Sequence, residues 1–153
     1  MSDESFPAEE GFEPSPERIP RDPADTLRTA MLVYIVVNLL LGVPLMLVPT
    51  GFLDFIGVDE PVAAHLGGLR IFGAMLVAWG IAAMLIVARP AGRAYFVTAG
   101  ALQLSFAAGA VLYSWVVGES LGAVWFQALA SIVLIGAAAY LWWARYRARA
   151  VMY

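Results

Sequence analysis

Polar side chains inside otherwise apolar stretches are the residues of this chain that could do chemistry. Arg70 is the one arginine that lies within an apolar stretch, and Asn38, Gln103 and Gln127 are the three side-chain amides. A guanidinium pairs with carboxylates and phosphates, and an amide both donates and accepts hydrogen bonds. Because burying such groups without a partner is costly, each must be satisfied by the protein or by a ligand. These four residues are therefore the candidate ligand-binding set.

Catalytic and metal-binding groups are scarce. The chain has no cysteine and one histidine, His65, and no carboxylate lies inside an apolar run. Ser105, Ser114 and Ser131 have no evident base, so nucleophilic catalysis has no support. We predict no catalytic residue, no metal site and no cofactor, and therefore no enzyme.

The elements that position these residues are long apolar segments. Hydrophobic residues make up 61% of the chain and charged residues 14%, a balance that a small water-facing surface cannot accommodate. A membrane-spanning helix needs about 20 apolar residues, and four runs reach that length. We predict an all-α, membrane-embedded four-helix bundle over residues 27–149, with spans at 28–49, 63–88, 94–117 and 121–144.

The arginines give this bundle an orientation. The chain has nine arginines and no lysine, and all but Arg70 flank the same ends of the predicted spans. Because cytoplasmic loops are enriched in basic residues, both termini are predicted to be cytoplasmic. The arginines that flank the spans are Arg18, Arg21, Arg28, Arg89, Arg93, Arg145, Arg147 and Arg149.

The first 26 residues differ from the rest of the chain. They carry eight of the twelve acidic residues and five of the nine prolines, a composition that cannot bury enough apolar surface to fold. We predict a disordered acidic cytoplasmic tail at 1–26, and a cytoplasmic C-terminus at 150–153. Asp22 and Pro23 fit the N-cap and first position of a helix that starts the bundle.

Two of the amides are predicted to meet at mid-depth. Asn38 lies ten residues from Arg28 and Gln103 ten residues from Arg93, which places each about 15 Å from the arginine-flanked end. They can hydrogen-bond to each other, and Tyr34, one helical turn from Asn38, can join them. We favour a structural role for this pair over contact with a substrate.

Arg70 and Gln127 are predicted to lie near the outer boundary, about 28 and 27 Å from the cytoplasmic ends of their spans. Three interpretations of Arg70 remain open. It can pair with a residue among Asp54, Asp59, Glu60, Glu119 and Gln127, extend to the interface, or bind an anionic ligand or headgroup. His65 lies further out, and we interpret it as a solvated interfacial residue.

Trp79 lies at mid-depth on the side of its helix opposite Arg70. An indole N–H facing lipid lacks a partner, so Trp79, with Phe72 and Met75, is predicted to meet another span, a second protein or a bound apolar molecule. Ordinary core packing, in a helix that is buried on both sides, is the favoured interpretation.

Small residues and short connections indicate how the spans pack. Gly67, Gly73 and Gly80 lie on one stripe of the second span, and Ala101, Ser105 and Gly109 on one stripe of the third. Small residues let helices approach closely in lipid, so we predict that the two stripes meet. The apolar stretch from Gly51 to Gly57 is predicted to form a short interfacial helix.

The segment from Pro44 to Gly80 contains Val48-Pro49, Phe52-Leu53 and Ile56-Gly57, followed by Leu69-Arg70, Gly73-Ala74, Ala78 and Gly80. This pattern resembles small four-helix bacterial membrane families of the BphX-like and DoxX-like kind. The resemblance implies a four-helix architecture in the cytoplasmic membrane of a prokaryote, and it implies no site residue.

Two functions remain open from the sequence. The first is a non-catalytic accessory or structural subunit of a larger membrane complex. The second is a binding or passage protein for a lipid- or quinone-like amphiphile. The expected partners are the bilayer and either other membrane subunits or a second copy of this chain, and no nucleic acid.

Overall fold

The computed structural model describes residues 22–58, 63–89, 91–119 and 122–152. Within these ranges the chain is all-helical and contains no strand. The helices are α1 (Pro23–Leu47), α2 (Pro49–Phe55), α3 (Ala63–Ala88), α4 (Ala94–Val117), α5 (Val124–Arg147) and α6 (Arg149–Met152).

Four of these helices, α1, α3, α4 and α5, are long and apolar enough to cross a membrane. The bounds of α3 and α4 coincide with the predicted spans 63–88 and 94–117. The other two differ from the prediction at both ends. α1 runs from Pro23 to Leu47 instead of 28–49, and α5 runs from Val124 to Arg147 instead of 121–144. Polar residues extend the start of α1 and the end of α5 beyond the apolar run.

The start of α1 follows the predicted capping pattern. The Asp22 carboxylate accepts a hydrogen bond from the Ala24 backbone N–H at 2.9 Å, and Pro23 occupies the first helical turn. A side-chain acceptor here satisfies a backbone donor that the helix leaves unpaired. The disordered tail was predicted for residues 1–26. Residues 1–21 lie outside the described part of the chain, and the helix α1 begins at Pro23.

α2 is a short helix in the connection between α1 and α3, as predicted for the stretch after Pro49. It ends at a turn where Gly57 has a φ of +81°, a conformation that favours glycine. Phe52 packs edge-on against Phe126, with ring centroids 6.0 Å apart, and Phe55 packs against Trp125 at 5.6 Å. These contacts hold α2 against the start of α5.

The closest helix approach in the bundle joins α1 to α3. A Cβ on Gly73 would lie 2.6 Å from the backbone nitrogen of Met46 and 2.7 Å from the carbonyl oxygen of Gly42, so only glycine fits. Gly80 also faces α1, with Leu39 as its nearest neighbour. α1 packs against α5 as well, and α5 against α4.

The prediction that the small-residue stripes of the second and third spans meet is therefore wrong. Gly73 packs on α1, and Gly109 of α4 has no atom within 4 Å of where a Cβ would lie. α1 carries its own glycine, Gly42, at the depth of Gly73, and two facing glycines permit a closer approach than the α4 stripe offers. α3 and α4 consequently make little direct contact.

The C-terminal residues pack against one end of the bundle. Ala148 and Met152 are buried, and the Met152 carbonyl accepts a hydrogen bond from Gly92 N–H at 3.1 Å. α6 thus contacts the turn between α3 and α4. We call this end, which carries Arg28, Arg89, Arg93, Arg145 and Arg147, the arginine end, and the opposite end the α2 end.

Replacing Gly73 by alanine is expected to destabilise the bundle. The added methyl group overlaps backbone atoms of α1, and such overpacking costs about 1–3 kcal/mol. Gly67→Ala is the matched control, since Gly67 lies on the same helix with no atom within 4 Å. Thermal unfolding in detergent should show a lower midpoint for Gly73→Ala only. Equal midpoints for both variants would contradict the close α1–α3 approach.

Candidate ligand-binding cavity

The space between α3 and α4 is a cavity of about 740 Å³. This volume is within the range of about 300–1,000 Å³ that is typical of small-molecule sites. The walls come from five helices and from two residues that follow α2, Ile56 and Val58. The lining residues are Val37, Asn38, Leu41, Leu45, Phe52, Leu53, Ile56, Val58, His65, Leu69, Phe72, Leu76, Gln103, Leu104, Ala107, Val111, Phe126, Ala130 and Leu134.

Helix packing explains why this space is not filled. α3 is held against α1 by the Gly42–Gly73 approach, whereas α4 is held against α5. In the half of the bundle nearer α2, no comparable contact between described residues joins α3 to α4. Towards the arginine end the two helices are in contact through the rings of Trp79 and Phe96, whose centroids are 5.0 Å apart.

The cavity extends from the α2 end to the middle of the bundle. On α3 its lining runs from His65 to Leu76, eleven residue steps that span about 16 Å of helix. α2 lies against the outer part and contributes Phe52 and Leu53, and Ile56 follows directly after it. The cavity therefore occupies about one half of the bundle's length.

The inner end of the cavity is formed by the predicted amide pair. Gln103 Nε2 donates a hydrogen bond to Asn38 Oδ1 at 3.1 Å, and Asn38 Nδ2 donates to the Tyr34 carbonyl at 2.9 Å. The Tyr34 hydroxyl donates to Gln103 Oε1. The hydrogen bonds predicted between Asn38 and Gln103, and from Tyr34, are confirmed, and they form a closed circuit that begins and ends at Tyr34.

This circuit fixes the orientation of both amides. A backbone carbonyl can only accept, so the Tyr34 carbonyl places the Asn38 NH₂ group towards itself and Oδ1 towards Gln103. Gln103 must then present its NH₂ group to Asn38 and Oε1 to the tyrosine hydroxyl. Asn38 is 2% exposed and Gln103 is half-buried, so the glutamine is the more accessible of the two.

The other two candidate ligand-binding residues do not line the cavity. Arg70 is exposed, and among the described residues it forms no ion pair with Asp54 or Glu119. Its remaining predicted acidic partners, at 59 and 60, lie outside the described residues. Gln127 is buried on α5, one residue from the lining residue Phe126. The sequence therefore predicted the polar residues at the inner end of the cavity, Asn38 and Gln103. Arg70 and Gln127, which were predicted nearer the outer boundary, are not part of its lining.

The three predicted contact residues have different surroundings. Trp79 packs against Phe96 of α4, so it meets another span. α3 is not buried on both sides, as the favoured interpretation required, because Ile71, Phe72 and Met75 are exposed. Phe72 lines the cavity while remaining 53% exposed, which places it at the edge of the opening. Met75 is exposed and does not line the cavity.

The sequence did not indicate that His65 lines a cavity or that apolar walls surround one. His65 is exposed, in keeping with its interpretation as a solvated residue, and it also lines the cavity near the α2 end. A signal was present, because His65, Leu69, Phe72 and Leu76 recur at the spacing of one helix face. Apolar faces of this kind also pack in cores and face lipid, so the spacing alone does not identify a cavity.

The chemistry of the lining favours binding of an apolar molecule. No arginine, aspartate or glutamate is among the described residues that line it, and its polar groups are His65 and the amide pair. The described residues contain no cluster of three or more histidine, aspartate or glutamate side chains that could hold a metal ion. The cavity offers apolar surface with one hydrogen-bonding end.

No family model, curated protein or solved structure matches the chain. The resemblance to the BphX-like and DoxX-like families therefore stays a prediction, and the geometry of the cavity carries the functional argument.

Removing the Tyr34 hydroxyl is expected to open the circuit. Tyr34→Phe leaves Gln103 Oε1 without its donor, and an interhelical hydrogen bond in a membrane protein contributes about 0.6 kcal/mol on average and up to about 1.7 kcal/mol. Tyr113→Phe is the matched control, because Tyr113 is exposed on α4. Unfolding titrations in mixed micelles should show lower stability for Tyr34→Phe alone. A loss of equal size in both variants would argue against the circuit.

Proposed function

We propose that this protein is a non-catalytic, multi-pass protein of a prokaryotic cell membrane that binds a lipid- or quinone-like amphiphile between α3 and α4. The observation that carries this proposal is the apolar cavity of about 740 Å³ with an amide pair at its inner end. A ligand with an apolar body fits such walls, and a few polar groups suffice to orient it.

The surface of the bundle supports a location in the membrane. Large apolar side chains are exposed on all four long helices, including Leu40 on α1, Ile71 on α3, Phe106 on α4 and Ile132 on α5. In water these side chains would form an extended apolar surface, which soluble monomers rarely tolerate. In a bilayer they contact hydrocarbon, and the backbone polar groups remain satisfied within the helices.

The charges of the described residues support cytoplasmic termini. The arginine end carries six arginines, the five named above and Arg149 of α6, whereas Asp54 and Glu119 lie towards the α2 end. Arg145 and Arg147 lie over the rings of Trp142 and Trp143, with the guanidinium carbons 5.5 and 5.2 Å from the ring centroids. Arginine–aromatic pairs of this kind suit the boundary between hydrocarbon and headgroups.

With this topology the cavity lies in the outer leaflet. The gap between α3 and α4 faces the lipid laterally, and the partly exposed Phe72 lies at its edge. A molecule dissolved in the leaflet can enter between the two helices without passing through water. Binding therefore requires no large opening towards the aqueous side.

An accessory-subunit role is the second candidate function. Gly109 on α4 and Gly136 on α5 have no neighbouring atom within 4 Å of where a Cβ would lie. Glycines that face outwards allow a helix of another subunit, or of a second copy of this chain, to approach closely. Native mass spectrometry that finds stoichiometric partner chains would support this role.

The topology can be tested with single cysteines, since the chain has none of its own. Gly51→Cys on α2 and Ala91→Cys in the α3–α4 turn both replace exposed small residues. On intact cells, a membrane-impermeant maleimide should label the cysteine at 51 and not the one at 91. Labelling of position 91 in intact cells would reverse the proposed orientation, and labelling of both after lysis is the control for accessibility.

A bulky side chain inside the cavity is expected to abolish ligand retention. Ala107→Trp places an indole between α3 and α4, whereas Ala110→Trp, the matched control, adds the same group at an exposed position on α4. Native mass spectrometry of protein extracted in mild detergent should find a bound small molecule in the wild type and in Ala110→Trp, but not in Ala107→Trp. Equal retention in both variants would exclude the cavity as the site.

A further inference from the structure

The inner end of the cavity has hydrogen-bond donors that the protein does not use. A side-chain NH₂ group carries two N–H bonds. Gln103 Nε2 donates once, to Asn38 Oδ1, and Asn38 Nδ2 donates once, to the Tyr34 carbonyl. Among the hydrogen bonds of the described residues, the second N–H of each amide has no acceptor.

Gln103 is the amide that can offer its free N–H to a ligand. It lines the cavity and is half-buried, whereas Asn38 is almost fully enclosed. Both amide oxygens already accept a hydrogen bond within the circuit, Oε1 from the Tyr34 hydroxyl and Oδ1 from Gln103. Each amide oxygen keeps a second lone pair, but the free Gln103 N–H can be satisfied only by an acceptor. A ligand atom that bonds to this N–H must therefore be an acceptor.

The acceptor should also be uncharged. No arginine or lysine is among the described residues that line the cavity, and His65 is about 16 Å away along α3. A carboxylate or phosphate at the inner end would lose its hydration without gaining a countercharge. A carbonyl oxygen needs only the hydrogen bond, and its apolar substituents match the surrounding leucine, alanine and phenylalanine side chains.

We propose that the cavity binds an uncharged apolar molecule that carries a carbonyl oxygen, and that this oxygen accepts a hydrogen bond from Gln103 Nε2 at the inner end. This inference rests on the proposed function and adds the chemical class and the orientation of the ligand. The polar group of the ligand points towards the middle of the bundle, and the apolar remainder extends towards α2.

A pair of probes that differ in one carbonyl group tests the inference. 9-Fluorenone is a rigid aromatic ketone, and fluorene is the corresponding hydrocarbon of almost the same shape. Binding of each to the full-length protein in lipid nanodiscs is measured by calorimetric titration, with Ala107→Trp nanodiscs subtracted to remove partitioning into lipid. The wild type should bind the ketone about three- to tenfold more tightly, the gain expected for one net hydrogen bond.

The glutamine is then replaced by methionine, which keeps the length of the side chain and removes the donor. Gln103→Met should bind both probes with equal affinity. Gln127→Met is the matched control, since Gln127 lies on α5 outside the lining, and it should keep the preference for the ketone. If Gln103→Met fails to fold, infrared spectra of the wild type suffice, because a hydrogen bond shifts the carbonyl stretch of bound fluorenone to lower frequency.

The outcomes separate this inference from the proposed function. Equal affinities of the two probes for the wild type, or an unshifted carbonyl stretch of bound fluorenone, overturn the inference while leaving a binding cavity in place. Saturable binding of neither probe beyond that of Ala107→Trp overturns the inference and counts against the proposed function as well. A ketone preference that survives in Gln103→Met assigns the donor to another residue and rejects Gln103.

Discussion

The close approach of α1 and α3 is the constraint on which the other features depend. Gly42 and Gly73 allow the two backbones to meet, and a single methyl group at Gly73 would separate them. Because α3 is drawn onto α1, it cannot also pack along α4, which α5 holds in place. The cavity is thus a consequence of how the glycines pair the helices. The packing of α3 on α1 and of α4 on α5 does not require larger side chains on α4 that would fill the cavity.

The Tyr34 circuit complements that approach by joining α1 to α4 through side chains. Cβ at Gly100 would lie 3.2 Å from the Tyr34 ring, so α4 meets the tyrosine ring instead of the α1 backbone. Three hydrogen bonds in sequence polarise one another, which strengthens the set beyond its separate members. The circuit and the glycine pair therefore set two different distances from α1, one for α4 and one for α3.

The sequence predicted the long helices and the amide pair because each depends on counting along one chain segment. The length of apolar runs gives the spans, and the distance from the arginines places Asn38 and Gln103 at the same depth. Helix partners are not encoded in this way. The stripe containing Gly73 indicates that another helix packs closely against it without identifying that helix. We predicted the third span, whereas the neighbour is α1, which carries Gly42. The cavity walls were missed because apolar residues look alike whether they face a core, lipid or a ligand.

The position of the amide pair also determines how far a bound molecule can travel. A cavity about 16 Å deep reaches roughly halfway through a hydrocarbon layer about 30 Å thick. Beyond Asn38 and Gln103, α3 and α4 are in contact through the rings of Trp79 and Phe96. On the proposed function and topology, a molecule that enters from one leaflet stops at the amide pair near the midplane and leaves by the way it came. The proposed site would then be a receptacle within a single leaflet.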